Sequence, residues 1–163
     1  MISAYLRTRS LVKAILFSGL CIGVADGIAA VLSNFLMKSV SPDRVFKFVA
    51  SGVFGMKAFA GNTEMVAAGL FFHFLIAMSF TAFFFVVATT FKNLRNNVLI
   101  TGTGYGCGIW LIMNFIAIPL SNTPPLSFET SSVIVGIIVH IFIIGIPIVW
   151  LAKQHFSSAQ SSA

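Results

Sequence analysis

The chain has 163 residues, of which 58% are hydrophobic and only 9% charged, with a formal net charge of +6 and a mean hydropathy of +0.99. A soluble domain carries about 25% charged residues to cover its surface, so this composition excludes a water-soluble globule and points to a protein solvated by acyl chains. The aromatic content agrees: 18 Phe stand against two Tyr and two Trp, and Phe is the aromatic that takes no polar group into hydrocarbon.

A helix crosses ~30 Å of hydrocarbon with roughly 20 apolar residues rising 1.5 Å each. The first apolar stretch, 14–37, follows a basic start (Arg7, Arg9, Lys13) and contains a single charge, Asp26. Hydrophobicity continues past Asp26 through Ile28–Leu32, and bulky Leu20 precedes Cys21. It therefore reads as a retained span, not as a cleaved leader or a lipoprotein site. No Asp, Glu, Lys or Arg occurs in 65–91, 96–128 or 130–152. The expected fold class is an all-α membrane bundle of four transmembrane helices, at 14–36, 66–90, 98–119 and 131–151. Apolar residues run continuously and do not alternate, which excludes barrel strands.

Between the first two spans, Ser41-Pro42-Asp43 is a helix start, with a capping hydroxyl, proline at the first position and an acid near the positive end. An amphipathic interfacial helix is expected over 42–54, with Arg44 and Lys47 at the lipid phosphates and Val45, Phe48, Val49 and Phe54 turned away from them. Gly61-Asn62-Thr63-Glu64 turns the chain into the second span, and Pro119, Pro124 and Pro125 turn it between the third and fourth. Residues 1–156 read as one domain, and the Ser-rich tail, 157–163, as disordered.

Basic residues set orientation. Arg7, Arg9, Lys13, Lys92, Arg95 and Lys153 share one side; Lys38, Arg44, Lys47 and Lys57 fall on the other. The six against four place both termini in the cytoplasm. The cations sit at membrane edges, where lipid headgroups account for them, and nothing in the pattern calls for nucleic acid.

The polar residues inside the spans are the functional candidates, because an ionisable group in hydrocarbon costs at least a few kcal/mol unless it faces the bundle interior. Each span supplies one: Asp26, His73, Asn114 and His140. Counting the rise per residue, all four fall roughly 7–15 Å below the outer boundary, in one layer. Each lies among small residues at helical spacing: Gly19, Gly23, Asp26, Ala30 and Ser33; Gly69, His73, Ala77 and Thr81; Thr103, Cys107 and Asn114; Ser132, Gly136 and His140. Such faces let membrane helices approach closely. Gly102, Gly104, Gly106 and Gly108 form two overlapping Gly-xxx-Gly pairs on the third span, which predicts contact on two sides, inside the bundle or with another copy of the chain in a homo-oligomer.

Three uses of the layer are open. It can pass or sense a proton, ion or small solute; it can fix helix register only, in a structural or accessory subunit; or it can hold a metal or haem b between His73 and His140, with Gly69 and Gly136 leaving room for a porphyrin edge. The first is the leading expectation, and no resident cofactor is expected with it. Asp26 precedes His73 by 47 residues and Asn114 precedes His140 by 26, so the two out-and-back pairs form a faint internal repeat. There is no phosphate-cradling loop and no nucleophile signature, so no enzyme is expected. Cys21 and Cys107 lie in spans, where no disulfide is expected.

The stretch Ile118-Pro119-Leu120-Ser121-Asn122-Thr123-Pro124-Pro125-Leu126, followed by Gly136 and His140, resembles the corresponding part of the YagU-like bacterial inner-membrane proteins, and the whole chain resembles small four-span proteins of that membrane. The first outer segment is shorter and basic here. The resemblance implies a bacterial inner membrane and a cytoplasmic N-terminus, and it implies no reaction.

Overall fold

The computed structural model describes residues 10–125 and 129–159. Arg7 and Arg9 of the basic start, Leu126 and residues 160–163 lie outside them.

Among the described residues six helices follow in chain order: α1 (Leu11–Lys38), α2 (Pro42–Phe54), α3 (Lys57–Ala60), α4 (Thr63–Thr90), α5 (Val98–Leu120) and α6 (Thr130–Ser157, its helical path continuing to Ala159). A one-turn 3₁₀ helix, Lys92–Arg95, joins α4 to α5. α1, α4, α5 and α6 are each long and apolar enough to cross a membrane, so the protein is an integral, multi-pass, all-helical membrane protein. Ser157–Ala159, expected in a disordered tail, continue the last helix, with the Ser157 hydroxyl donating to the Lys153 carbonyl at 2.8 Å.

Packing between spans rests on close approach, since lipid offers no hydrophobic drive. α1 meets α4 where Gly19 lies under Met78 and Gly23 under Phe74 and Ala77. α5 meets α6 more tightly: Gly102 and Gly106 lie against the Ile146 and His140–Ile141 backbone, and Gly145 of α6 faces back onto both. α6 is the hub, touching α1, α4 and α5. At Gly104 and Gly108, the other overlapping pair, an added methyl group would meet nothing within 4 Å among the described residues. Gly69 also departs from expectation. It packs against the Phe46 carbonyl of α2, not against another span.

α2 is amphipathic as expected, but the sequence pattern misplaces two of its contacts. The Ser41 hydroxyl makes no capping bond; the Ser41 carbonyl instead accepts from the Arg44 and Val45 amides. Lys47, expected at the phosphates, is only 16% exposed in its side chain and pairs with Asp43 at 3.4 Å, one turn away. The Phe46 carbonyl packs on Gly69 of α4, and Lys47, the next residue, lies along its own helix toward the Asp43 carboxylate. Arg44 remains exposed, its guanidinium 5.9 Å from the Phe59 ring centre. The end of α2 is clasped by the α5–α6 connection: Asn122 donates its amide to the Gly52 carbonyl and its side chain to the Val53 carbonyl, each at 3.0 Å. Gly55, with φ +60°, turns the chain out beneath this clasp, a conformation that costs glycine little.

Two interruptions matter for the site. α5 is π-helical over Met113–Ala117 and α6 over His140–Gly145. Each π segment is followed by Ile-Pro, Ile118-Pro119 and Ile146-Pro147. A proline inside a helix lacks the N–H for the carbonyl four residues back and its ring presses on that carbonyl. Those carbonyls belong to Phe115 and Ile143, in the middle of each π segment, and a wider turn relieves the clash. α1 and α4 contain no π turn, so the two helix pairs are not copies at this level.

The buried core occupies the Arg95 end of the bundle. Phe85, Thr81, Ile148, Val149 and Ser18 are fully buried there, and the Tyr105 hydroxyl donates to the Phe80 carbonyl at 2.6 Å, tying α5 to α4. The α2 end is hollow.

Candidate functional site

Two adjoining cavities, each of about 190 Å³, occupy the hollow end. The inner one is roofed by Phe48, Val49 and Gly52 of α2 and walled by apolar side chains such as Ile22, Phe80, Ile109 and Ile144. Ser121 and Thr123 of the α5–α6 connection reach it as well. The outer one is a polar vestibule between α1 and α6, lined by Ser33, Asn34 and Lys38 on one side and by Ser132 and Gly136 on the other. Lys38 and Glu129, paired at 3.5 Å, join the end of α1 to the start of α6 at the level of its mouth. Asp26 and His140 line both cavities, and His73 lines the inner one.

Three helices thus bring three ionisable groups to one place. His73 sits over Gly27 of α1, edge-on to Phe46 and Phe74. Its Nε2 bonds the Gly23 carbonyl at 2.8 Å, and its Nδ1 lies 4.0 Å from Asp26 Oδ2. One imidazole therefore braces a single turn of α1, from Gly23 to Asp26. The side chains of His73 and Asp26 are 12% and 22% exposed. His140, at the first position of its π turn, bonds the Gly136 carbonyl through Nδ1 at 2.8 Å.

These bonds fix the tautomers. A carbonyl oxygen only accepts, so His73 carries its proton on Nε2 and His140 on Nδ1. In the neutral state the remaining nitrogen of each ring is a lone pair. His73 Nδ1 then faces Asp26 Oδ2 as acceptor against acceptor, and 4.0 Å is too long for a hydrogen bond. Asp26, His73 and His140 together are rich in lone pairs and have no spare donor.

Asn114 does not join them. Its amide donates to the Trp110 carbonyl of its own helix at 2.9 Å, and it lines neither cavity, whereas Met113 and Ala117 on either side line the inner one. Asn114 shares its side of α5 with Trp110, one residue round from the Ile109, Met113 and Ala117 face that lines the inner cavity.

No protein-family model, no curated protein and no solved structure matches the chain. The site must be read from its own chemistry.

The space expected above two glycines is occupied. The Phe46 carbonyl lies over Gly69 and the Trp110 indole over Gly136, so neither leaves a gap for a porphyrin edge. Among the described residues, no three His, Cys, Asp or Glu side chains converge as a metal-ligand group. Cys21 and Cys107 are free thiols. Of the site's features, the π turns, the Lys38–Glu129 pair and the Tyr105–Phe80 bond escape the sequence reading. The two Ile-Pro pairs inside uncharged runs were the available signal for the first.

Proposed function

We propose that this is a bacterial inner-membrane protein that binds a proton or small cation from the outer face at Asp26, His73 and His140, in order to sense it or to begin its passage. The observation that carries this reading is the convergence of three ionisable groups from α1, α4 and α6 on a cavity with a polar vestibule. An intramembrane carboxylate without a Lys or Arg partner among the described residues invites a positive charge.

Sensing suits the shape better than free passage. The path stops at Phe80, Ile109 and Ile144, and beyond them the Arg95 end is closed by Thr81, Phe85, Ile148 and Val149. Passage would need those helices to part. The excess of Lys and Arg at the Arg95 end, with the even number of spans, supports cytoplasmic termini. A periplasm-dependent reporter fused after Ala163 is expected to be silent; an active one reverses the orientation.

Trp110 gives the test of the site, because its indole packs on Gly136, whose carbonyl holds His140. In a Trp150→Phe background, Trp110 fluorescence should titrate with pH. Adding Asp26→Asn or His140→Gln should flatten or displace the curve. A curve unchanged by both substitutions would sink the proposal. The competing reading is a structural role, favoured by the brace that His73 makes to the α1 backbone. It predicts lower stability in the His73 and His140 variants and no pH signal to lose.

A further inference from the structure

Both histidines spend their only neutral-state N–H on backbone carbonyls, at 2.8 Å each. The groups left to meet a guest are a carboxylate and two lone-pair nitrogens, all acceptors. An anion or a carbonyl head finds no donor on these three side chains, and the Ser121 and Thr123 hydroxyls, which also reach the inner cavity, are bonded to each other. A group with several N–H donors and a positive charge meets Asp26 and His73 Nδ1 side by side, with His140 lining the same cavity.

The inner cavity narrows the ligand further. It continues from the acceptors into a wall of Ile22, Ile76, Phe80, Ile109, Met113 and Ile144 under the roof of α2. A bare inorganic cation would leave this apolar space unused. A proton would need no cavity at all. A molecule with an ammonium head and a short hydrocarbon body fills both parts at once, and the vestibule of Ser33, Asn34 and Ser132 gives it a polar way in from the outer end.

We infer, resting on the cation-binding role proposed above, that Asp26, His73 and His140 with the inner cavity form a site for a primary organic ammonium ion, the head held by the three acceptors and the alkyl or aryl body lying under α2. The head replaces the missing bond between His73 Nδ1 and Asp26 Oδ2, whose 4.0 Å separation suits a shared donor. Proton and ammonium then compete. The titratable groups that face the head are Asp26 from α1, His73 from α4 and His140 from α6, with Lys38 and Glu129 at the vestibule rim; α2 and α5 present only apolar side chains to it.

The experiment uses the purified full chain in nanodiscs, read by Trp110 fluorescence in the Trp150→Phe background. Four probes of similar size are compared: n-butylammonium, n-butanol, butyrate and tetramethylammonium. Butylammonium should give a saturable response at least about tenfold tighter than butanol or tetramethylammonium, which lack the charge or the N–H donors, and butyrate should give none. Shortening the chain from butyl to ethyl should weaken binding about fourfold per methylene removed. Asp26→Asn should abolish the butylammonium response. Equal responses to butylammonium and butanol, or a response that survives Asp26→Asn, would overturn the inference. The four-probe comparison needs no substitution at the site, so it decides even if Asp26→Asn does not fold. A pH titration of Trp110 that persists while butylammonium does nothing defeats the ammonium site and leaves the proton reading standing; loss of both defeats both.

Discussion

The α5–α6 seam allows one substitution to be tried at four neighbouring glycines with opposite expected signs. A methyl group added at Gly102 would stand 2.6 Å from Ile146 Cα, and one at Gly106 would stand 2.7 Å from Ile141 Cα. Ordinary contacts begin at 3.4 Å, and the atoms met are backbone, which cannot swing aside. The two helices must part by roughly an ångström, and overpacking of this kind costs about 1–3 kcal/mol, a roughly 5- to 150-fold loss in the folded ratio. Gly102→Ala and Gly106→Ala share one seam, so the double variant should cost less than the two single changes together. Gly104→Ala and Gly108→Ala meet open space and remove a residue that is poorer in helices than Ala by up to ~1 kcal/mol, so they should be neutral or mildly stabilising. Denaturation by SDS in mixed micelles, followed by near-UV circular dichroism, measures all four. Equal destabilisation at the two pairs would refute this helix pairing. Leu at positions 104 and 108 extends the test: if a second copy docks there, cross-linking of dimers in the membrane should fall while the monomer stays folded.

Three further outcomes are expected. Tyr105→Phe removes the bond to the Phe80 carbonyl and should cost about 0.6 kcal/mol and at most ~1.7 kcal/mol in the same denaturation assay, with the cavity intact. ¹⁵N-histidine NMR in nanodiscs above neutral pH should show opposite tautomers, an Nε2–H on His73 and an Nδ1–H on His140; the same tautomer at both would contradict a site made only of acceptors. At the surface, the Ser41 hydroxyl, with Lys47 beside it, holds the Asp43 carboxyl below its ordinary value of 3.8. A depressed carboxylate contributes stability above its unfolded pKa and loses it as pH falls through the folded one. Protease sensitivity around α2 should therefore rise on acidification below about pH 4 and in Asp43→Asn, and that substitution should remove the acid-dependent part.

The spans were legible because charge is costly in hydrocarbon: three uncharged runs and one interrupted by Asp26 leave little freedom in counting helices. α2 was legible from Pro42, Asp43 and its amphipathic spacing, although Lys47 was not, because Asp43 one turn back takes its ammonium in place of a lipid phosphate. The site was legible in part. Asp26 and His73 lie in regular α-helix, and His140 lies only at the first residue of a π turn, so counting by 3.6 from the neighbouring small residues puts each of them on a face that lines the inner cavity. Asn114 was counted from Thr103 and Cys107, but Thr103 is exposed and the cavity face of α5 is the apolar row Ile109, Met113 and Ala117, one residue round. Gly69 failed for a different reason: small residues mark close approach without saying what approaches, and here it is the backbone of α2.

The clasp between Asn122 and the end of α2 sets an order of assembly. During synthesis, α1, α2 and α4 leave the ribosome before the loop that carries Asn122 and before His140. A half-made protein therefore has the carboxylate and one imidazole but an unfastened roof and an open wall. The site closes only when the last helix inserts and its preceding loop reaches back over the bundle. Until then Asp26 has, of the two imidazoles, only His73 beside it, and the vestibule wall of Ser132, Gly136 and His140 is missing.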